Sequence, residues 1–123
     1  MNRIAIIIPA YEPDKRLISL IDDLVQKEIG PIFVVNDGSD MSFDCIFNAI
    51  KDKVENSGGL ILKHEVNKGK GRALKTAFGY ILDNVKNVQA VVTADSDGQH
   101  TSECIQHVID ASLYSQWGRF SLT

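Results

Sequence analysis

Two kinds of hydrophobic pattern alternate along this chain. Short runs of consecutive apolar, largely β-branched residues cover Ile4 to Ile8, Ile32 to Val35 and Ala90 to Thr93, with a shorter run at Leu60 to Lys63. Consecutive rather than alternating apolar positions predict strands buried on both faces, as in a parallel sheet covered by helices. Pro9 is expected to end the first strand, because it removes a ladder donor. Between the strands, apolar residues recur at helical spacing. A helix from about Asp14 to Glu28, with Asp14 as its cap, carries Leu17, Ile21, Leu24 and Val25. A second carries Phe43, Ile46, Phe47, Ile50 and Val54, and a third, starting near Lys70, carries Ala73, Leu74, Ala77, Phe78, Ile81 and Leu82. A last helix is expected from about Thr101, with Ile105, Val108 and Ile109 facing inward. The tail after Ser112 shows no clean period.

Four strands alternating with helices predict an α/β domain with a mostly parallel sheet. At 123 residues, with 44% hydrophobic and 24% charged positions, the chain has the length and composition for one globular core. A formal net charge of -3 argues against a large nucleic-acid surface. The apolar run before Pro9 is too short for a membrane span and lacks a signal-peptide pattern. A longer parent protein can still associate with a membrane. Cys45 and Cys104 have neither disulfide-framework nor zinc spacing, and both are expected to be buried reduced thiols.

In open α/β sheets, ligands bind beyond the carboxyl ends of the strands. Polar clusters fall at those ends: Tyr11 and Glu12, the loop Asn36 to Asp40, His64 and Glu65 with the NKGKG segment, and Asp95-Ser96-Asp97. Parallel strands would bring them together. Asp95 and Asp97 could flank one divalent cation, with Mg²⁺ or Mn²⁺ taking its remaining ligands from phosphate and water. The alternative is that Asp97-Gly98 is a turn whose side chain satisfies backbone donors. His100 stands nearby as a ligand, a phosphate contact or an ordinary loop histidine. Lys68, Lys70 and Arg72, interleaved with Gly69 and Gly71, either approach a diphosphate or form a solvated helix start. The segment is neither a P-loop nor a dinucleotide fingerprint. Ser39 lacks the surroundings of a nucleophile elbow.

Taken together, these segments resemble the inverting family 2 glycosyltransferases, and within them the polyprenyl-phosphate and dolichyl-phosphate sugar transferases. The resemblance runs from Ile4 to His100 through IIIPAYEP, IFVVNDGSD, NKGKGRALKTAFGYI and ADSDGQH, with Asn36 where the family commonly has an aspartate. It implies a Rossmann-like, GT-A nucleotide-diphospho-sugar transferase fold. Residues 1–123 would be the N-terminal, donor-binding part of a truncated transferase domain.

Under this resemblance Pro9, Ala10, Tyr11 and Glu12 line the nucleotide pocket, and Asp37 accepts from the base. Lys70 and Arg72 lie near base or diphosphate, Asp95 at the ribose or metal, Asp97 on the metal and Gln99 near the donor sugar. The implied partners are a UDP- or GDP-sugar and a lipid-phosphate or glycan acceptor, at the cytoplasmic face of a membrane. No catalytic residue is assigned, since the general base is expected downstream. The fragment alone is then expected to be inactive and to expose a surface prone to self-association. The rival of another class is a regulatory or interaction domain that keeps the fold and the nucleotide pocket without catalysis.

Overall fold

A computed structural model describes residues 3–97 and 121–122. The chain runs β1 (Arg3–Ala10), α1 (Lys15–Gln26), β2 (Ile32–Asp37), a 3₁₀ turn (Met41–Phe43), α2 (Asp44–Asn56), β3 (Leu60–His64), α3 (Lys70–Asn84), β4 (Val88–Thr93) and β5 (Ser121–Leu122). The strands form one sheet in the order β3-β2-β1-β4-β5, and every pairing is parallel. β5 lies in the tail for which no element is predicted. The helix expected from Thr101, and Cys104, lie outside the described residues.

Each face of the sheet packs its own core. Ile4, Ile6, Ile8, Ile32, Val34 and Val92 point toward α1 and α2 and meet Leu17, Ile21, Leu24, Phe47 and Ile50. Ala5, Ile7, Phe33 and Val35 point the other way, onto Ala73, Ala77 and Ile81 of α3. The period-two alternation of a strand makes this division, and apolar residues at both parities make the sheet two-faced. The alanines let α3 approach closely, while Tyr80 covers Phe33 with ring centroids 5.9 Å apart. Asp14 caps α1 as predicted, its side chain accepting from the Arg16 N–H.

Several details depart from the sequence reading. Pro9 does not end β1; it pairs in register with Val35 of β2. The Ile6 N–H points to the β2 side, where it donates to the Pro31 carbonyl, and the Ile7 carbonyl points to the β4 side, where it accepts from Ala94 N–H. Residue 9 shares the direction of residue 7, and the β4 ladder stops at Ile7↔Thr93. The missing donor therefore faces a place where, among the described residues, no strand asks for one. Asn36 and Asp37, expected in a loop, are the last residues of β2, paired with Lys63 and His64.

In α1 the stripe takes Leu20, and Val25 is exposed at its edge. Leu82 is 82% exposed, whereas Ile81 is 4% exposed. It lies nine residues beyond Ala73, about two and a half turns, on the side of α3 away from the sheet. Cys45 is exposed rather than buried, because its place on α2 falls off the Phe47-Ile50-Val54 stripe.

Ile81 and Leu82 give a direct comparison. Ile81→Ala should destabilise the domain by about 2–5 kcal/mol through a core cavity. Leu82→Ala should stay within about 0.5 kcal/mol of the parent. Urea unfolding of both variants measures the difference.

Candidate functional site

At the carboxyl edge of the sheet, the loops after β1 and β2 are tied together by polar side chains. Glu12 has a left-handed backbone, φ 48°. Its N–H donates to Ser39 Oγ at 2.8 Å, and the Ser39 N–H donates to Asn36 Oδ1 at 3.0 Å. Asn36 thus supplies a loop acceptor without adding a charge, and Ser39 holds a loop. Gly38 follows with φ +74°, and a Cβ there would fall 2.2 Å from backbone atoms of Val66 and Asn67. Only glycine lets the β2 loop meet the segment after β3 so closely.

Asp37 is the centre of this edge. Its buried carboxylate accepts from His64 Nδ1 at 2.8 Å and Lys68 N–H at 2.9 Å on Oδ1, and from Gly69 N–H at 2.9 Å on Oδ2. An ionised carboxylate only accepts, so His64 Nδ1 carries the proton in this pair. The other ring nitrogen of His64 lies 2.8 Å from the Thr76 hydroxyl on α3. Burial pushes the Asp37 carboxyl up, but the His64 hydrogen bond and the two backbone N–H groups outweigh it and hold the acid below its ordinary value.

The segment that Asp37 holds leads into α3. Gly69, at φ 96°, is the N-cap and makes no side-chain cap bond of its own. Lys70, in the first turn, reaches across to Asp95 Oδ1 at 3.0 Å. On the opposite side, Arg16 forms a multiple contact with the Asp14 carboxylate, from Nε at 3.0 and 3.1 Å and Nη2 at 2.8 Å. That contact lowers Asp14 and raises Arg16, with Asp97 adding a smaller pull on the guanidinium.

Together these groups enclose an open cleft of about 510 Å³, lined by Pro9, Ala10, Tyr11, Glu12, Pro13, Asp14, Arg16, Asp37, Asn67, Gly69, Lys70, Asp95, Ser96 and Asp97. Eight of the ten predicted site residues therefore share one cavity: Pro9, Ala10, Tyr11, Glu12, Asp37, Lys70, Asp95 and Asp97. Arg72 is exposed on α3 and does not line the cleft. Gln99 and His100 lie outside the described residues. Arg16 was missed; its place two residues after a helix cap that follows the β1 loop is the signal that could have found it. Among the described residues no cluster of three or more His, Cys, Asp or Glu side chains could hold a metal alone. Asp95 and Asp97 are a pair of hard oxygen donors, which suits a divalent cation completed by phosphate and water.

The model of glycosyl transferase family 2 matches residues 5–113. The chain belongs to this family. The parallel sheet with helices on both faces agrees with the α/β, GT-A-like fold that the resemblance implies. It is 25% identical over 113 residues to an uncharacterised protein of Methanocaldococcus jannaschii, covering 92% of this chain and 43% of that one. It is 29% identical over 116 residues to the UDP-N-acetylglucosamine–dolichyl-phosphate N-acetylglucosaminyltransferase of Methanococcus voltae, covering 86% of this chain and 45% of that enzyme. The chain spans less than half the length of these curated relatives. No solved structure matches it. Among the described residues, no helix is long and apolar enough to cross a membrane.

The Asp37 network makes the family 2 domain sensitive to acid in a defined direction. A lowered folded pKa contributes stability that is fully present above the ordinary value of 3.8 and is lost as pH falls through the lowered one. Asp37→Asn should cost about 3 kcal/mol at neutral pH, because an amide turns donors toward donors. It should also remove this share of the acid-induced loss. Urea midpoints measured on both sides of that pH window test both effects.

Proposed function

We propose that the cleft binds a nucleoside-diphosphate sugar and that the whole protein transfers the sugar, with inversion, to a lipid-phosphate acceptor. The observation that carries this reading is the meeting of four separated segments in one cavity at the carboxyl edge of the sheet. In a family 2 domain that cavity is the place for a donor. Pro9, Ala10, Tyr11 and Glu12 flank the nucleotide, and Asp37 accepts from the base, for which uracil N3–H is the first candidate and guanine the second. The start of α3, whose N-cap is a glycine, supplies backbone N–H groups and Lys70 a charge for the diphosphate. Asp95 holds the ribose or assists the metal.

Asp97, with Asp95, would hold a Mg²⁺ or Mn²⁺ ion. When bound, the cation offsets negative charge developing on the departing diphosphate. The chain's own residues orient the donor: Asp37 fixes the base end, and Lys70 and the α3 start fix the phosphate end. Gln99 belongs near the donor sugar. No residue is assigned as the general base.

A polyprenyl-phosphate type of acceptor is supported by the ADSDGQH and NKGKG segments and by the dolichyl-phosphate acceptor named for the Methanococcus voltae relative. A glycan acceptor is the second choice. A lipid-phosphate acceptor would place the whole protein at the cytoplasmic face of a membrane.

Isothermal titration with UDP and with GDP, each with and without Mn²⁺, tests the donor reading. UDP should bind more tightly with Mn²⁺ present. Asp97→Ala should weaken the Mn²⁺-dependent binding by about tenfold or more. Asp37→Ala should weaken nucleotide binding whether or not Mn²⁺ is present. A folded protein that binds neither nucleotide refutes the proposal.

A further inference from the structure

Asp37 can read a base only if its carboxylate stays in one orientation, and its hydrogen bonds show what holds it there. Among the described residues, three donors occupy it: two backbone N–H groups and one side chain, His64 Nδ1. A carboxylate has about four acceptor positions, so one remains, on the oxygen that faces Gly69. The backbone donors come from a loop between β3 and α3. His64, by contrast, is the last residue of β3, paired in register with Asp37 itself. Its far nitrogen meets the Thr76 hydroxyl, which sits on α3 between the Ala73 and Ala77 contacts to the sheet. The imidazole thus joins the sheet edge to the helix and holds Asp37 without itself lining the cleft.

We propose that His64 is a positioning residue for nucleobase recognition: anchored by Thr76, it holds the Asp37 carboxylate so that one acceptor position is presented to a base donor. Neither His64 nor Thr76 lines the cleft, so the effect passes entirely through Asp37. This inference rests on the nucleotide reading above. It adds a specific consequence, that discrimination between bases depends on a residue that touches none of them. Uracil offers an N3–H donor to a carboxylate; cytosine presents an acceptor at N3, and its donor on that edge, the N4 amino group, lies one position away from the place a fixed carboxylate addresses. The anchored acid therefore favours UDP over CDP, whereas the diphosphate and ribose contacts of the two are the same.

Titration calorimetry with UDP, and with CDP by displacement of UDP, in Mn²⁺, reads this preference in the protein and its variants. The parent should favour UDP by about tenfold or more, the worth of one charge-assisted hydrogen bond. His64→Phe keeps the ring's volume but removes both nitrogens, and should bring the preference to within about threefold of equality, mainly by weakening UDP. His64→Asn returns an N–H donor near the Nδ1 position and should regain part of the preference. A merely structural role would weaken both nucleotides in proportion and leave their ratio unchanged. That result, or an unaltered ratio in a folded His64→Phe, overturns the inference. Should His64→Phe fail to fold, Thr76→Val decides: it leaves the imidazole without its anchor and has to lower the ratio by about threefold. An unchanged ratio in Thr76→Val also overturns it. Binding of neither UDP nor CDP by the folded parent overturns the positioning role; GDP binding in that case leaves the donor reading standing, and failure of GDP as well refutes it.

Discussion

The carboxyl edge of this domain is arranged around one buried carboxylate. Asp37 lies at the end of β2 with 3% of its surface exposed, and a charge so placed is costly unless donors surround it. Those donors come from distinct parts of the chain: the end of β3 supplies His64, and the segment before α3 supplies the backbone of Lys68 and Gly69. Satisfying the charge fixes where that segment goes, and so where α3 begins. The start of α3 in turn places Lys70 opposite Asp95. Gly38 is the steric counterpart of this electrostatic demand, since any side chain there would meet the Val66–Asn67 backbone. Asn36, Ser39 and Glu12 extend the tie to the β1 loop through neutral hydrogen bonds, which cost little desolvation.

Much of this architecture is legible from the sequence because burial on two faces leaves a direct mark. Ile4 to Ile8 and Ile32 to Val35 can only be satisfied by cores on both sides, and the two observed cores divide them by parity. Parallel strands then place every polar strand end on one edge, which is why eight residues chosen from four segments line one cleft. The errors at the strand ends share a cause, in that each concerns a property set by a distant partner. Pro9 continues β1 because β4 stops at Thr93, more than eighty positions later in the chain. Asn36 and Asp37 look like loop residues until β3 is found alongside them. The bond that makes His64 important spans 27 positions, and its anchor lies a further 12 along. A histidine after an apolar strand carries no local sign of either partner. Leu82 shows the converse: its local spacing fits the stripe, but the accumulated rotation of α3 carries it to the outside.

The charges of the cleft bear on what it can receive. Its described lining holds five carboxylates, Glu12, Asp14, Asp37, Asp95 and Asp97, against two cations, Arg16 and Lys70. The cations are engaged, Arg16 with Asp14 and Lys70 with Asp95. Asp37 has its own donors behind it. A diphosphate entering this cavity meets, among the described residues, a net negative lining, and an apolar or neutral ligand would not require the change that follows. Either Lys70 and Arg16 leave their carboxylates for the phosphate, or a divalent cation enters with it. The first course breaks the Lys70–Asp95 pair in the same step that brings a second anion near that carboxylate, so it does not reduce the local negative charge. The second neutralises phosphate and carboxylates together and lets Lys70 keep Asp95 or share itself with the phosphate. The charge distribution therefore favours the proposed metal–nucleotide complex over the free nucleotide. Under that proposal the acid character of Asp95 and Asp97 serves the cation as well as the pairing of Asp95 with Lys70 and the pull of Asp97 on Arg16.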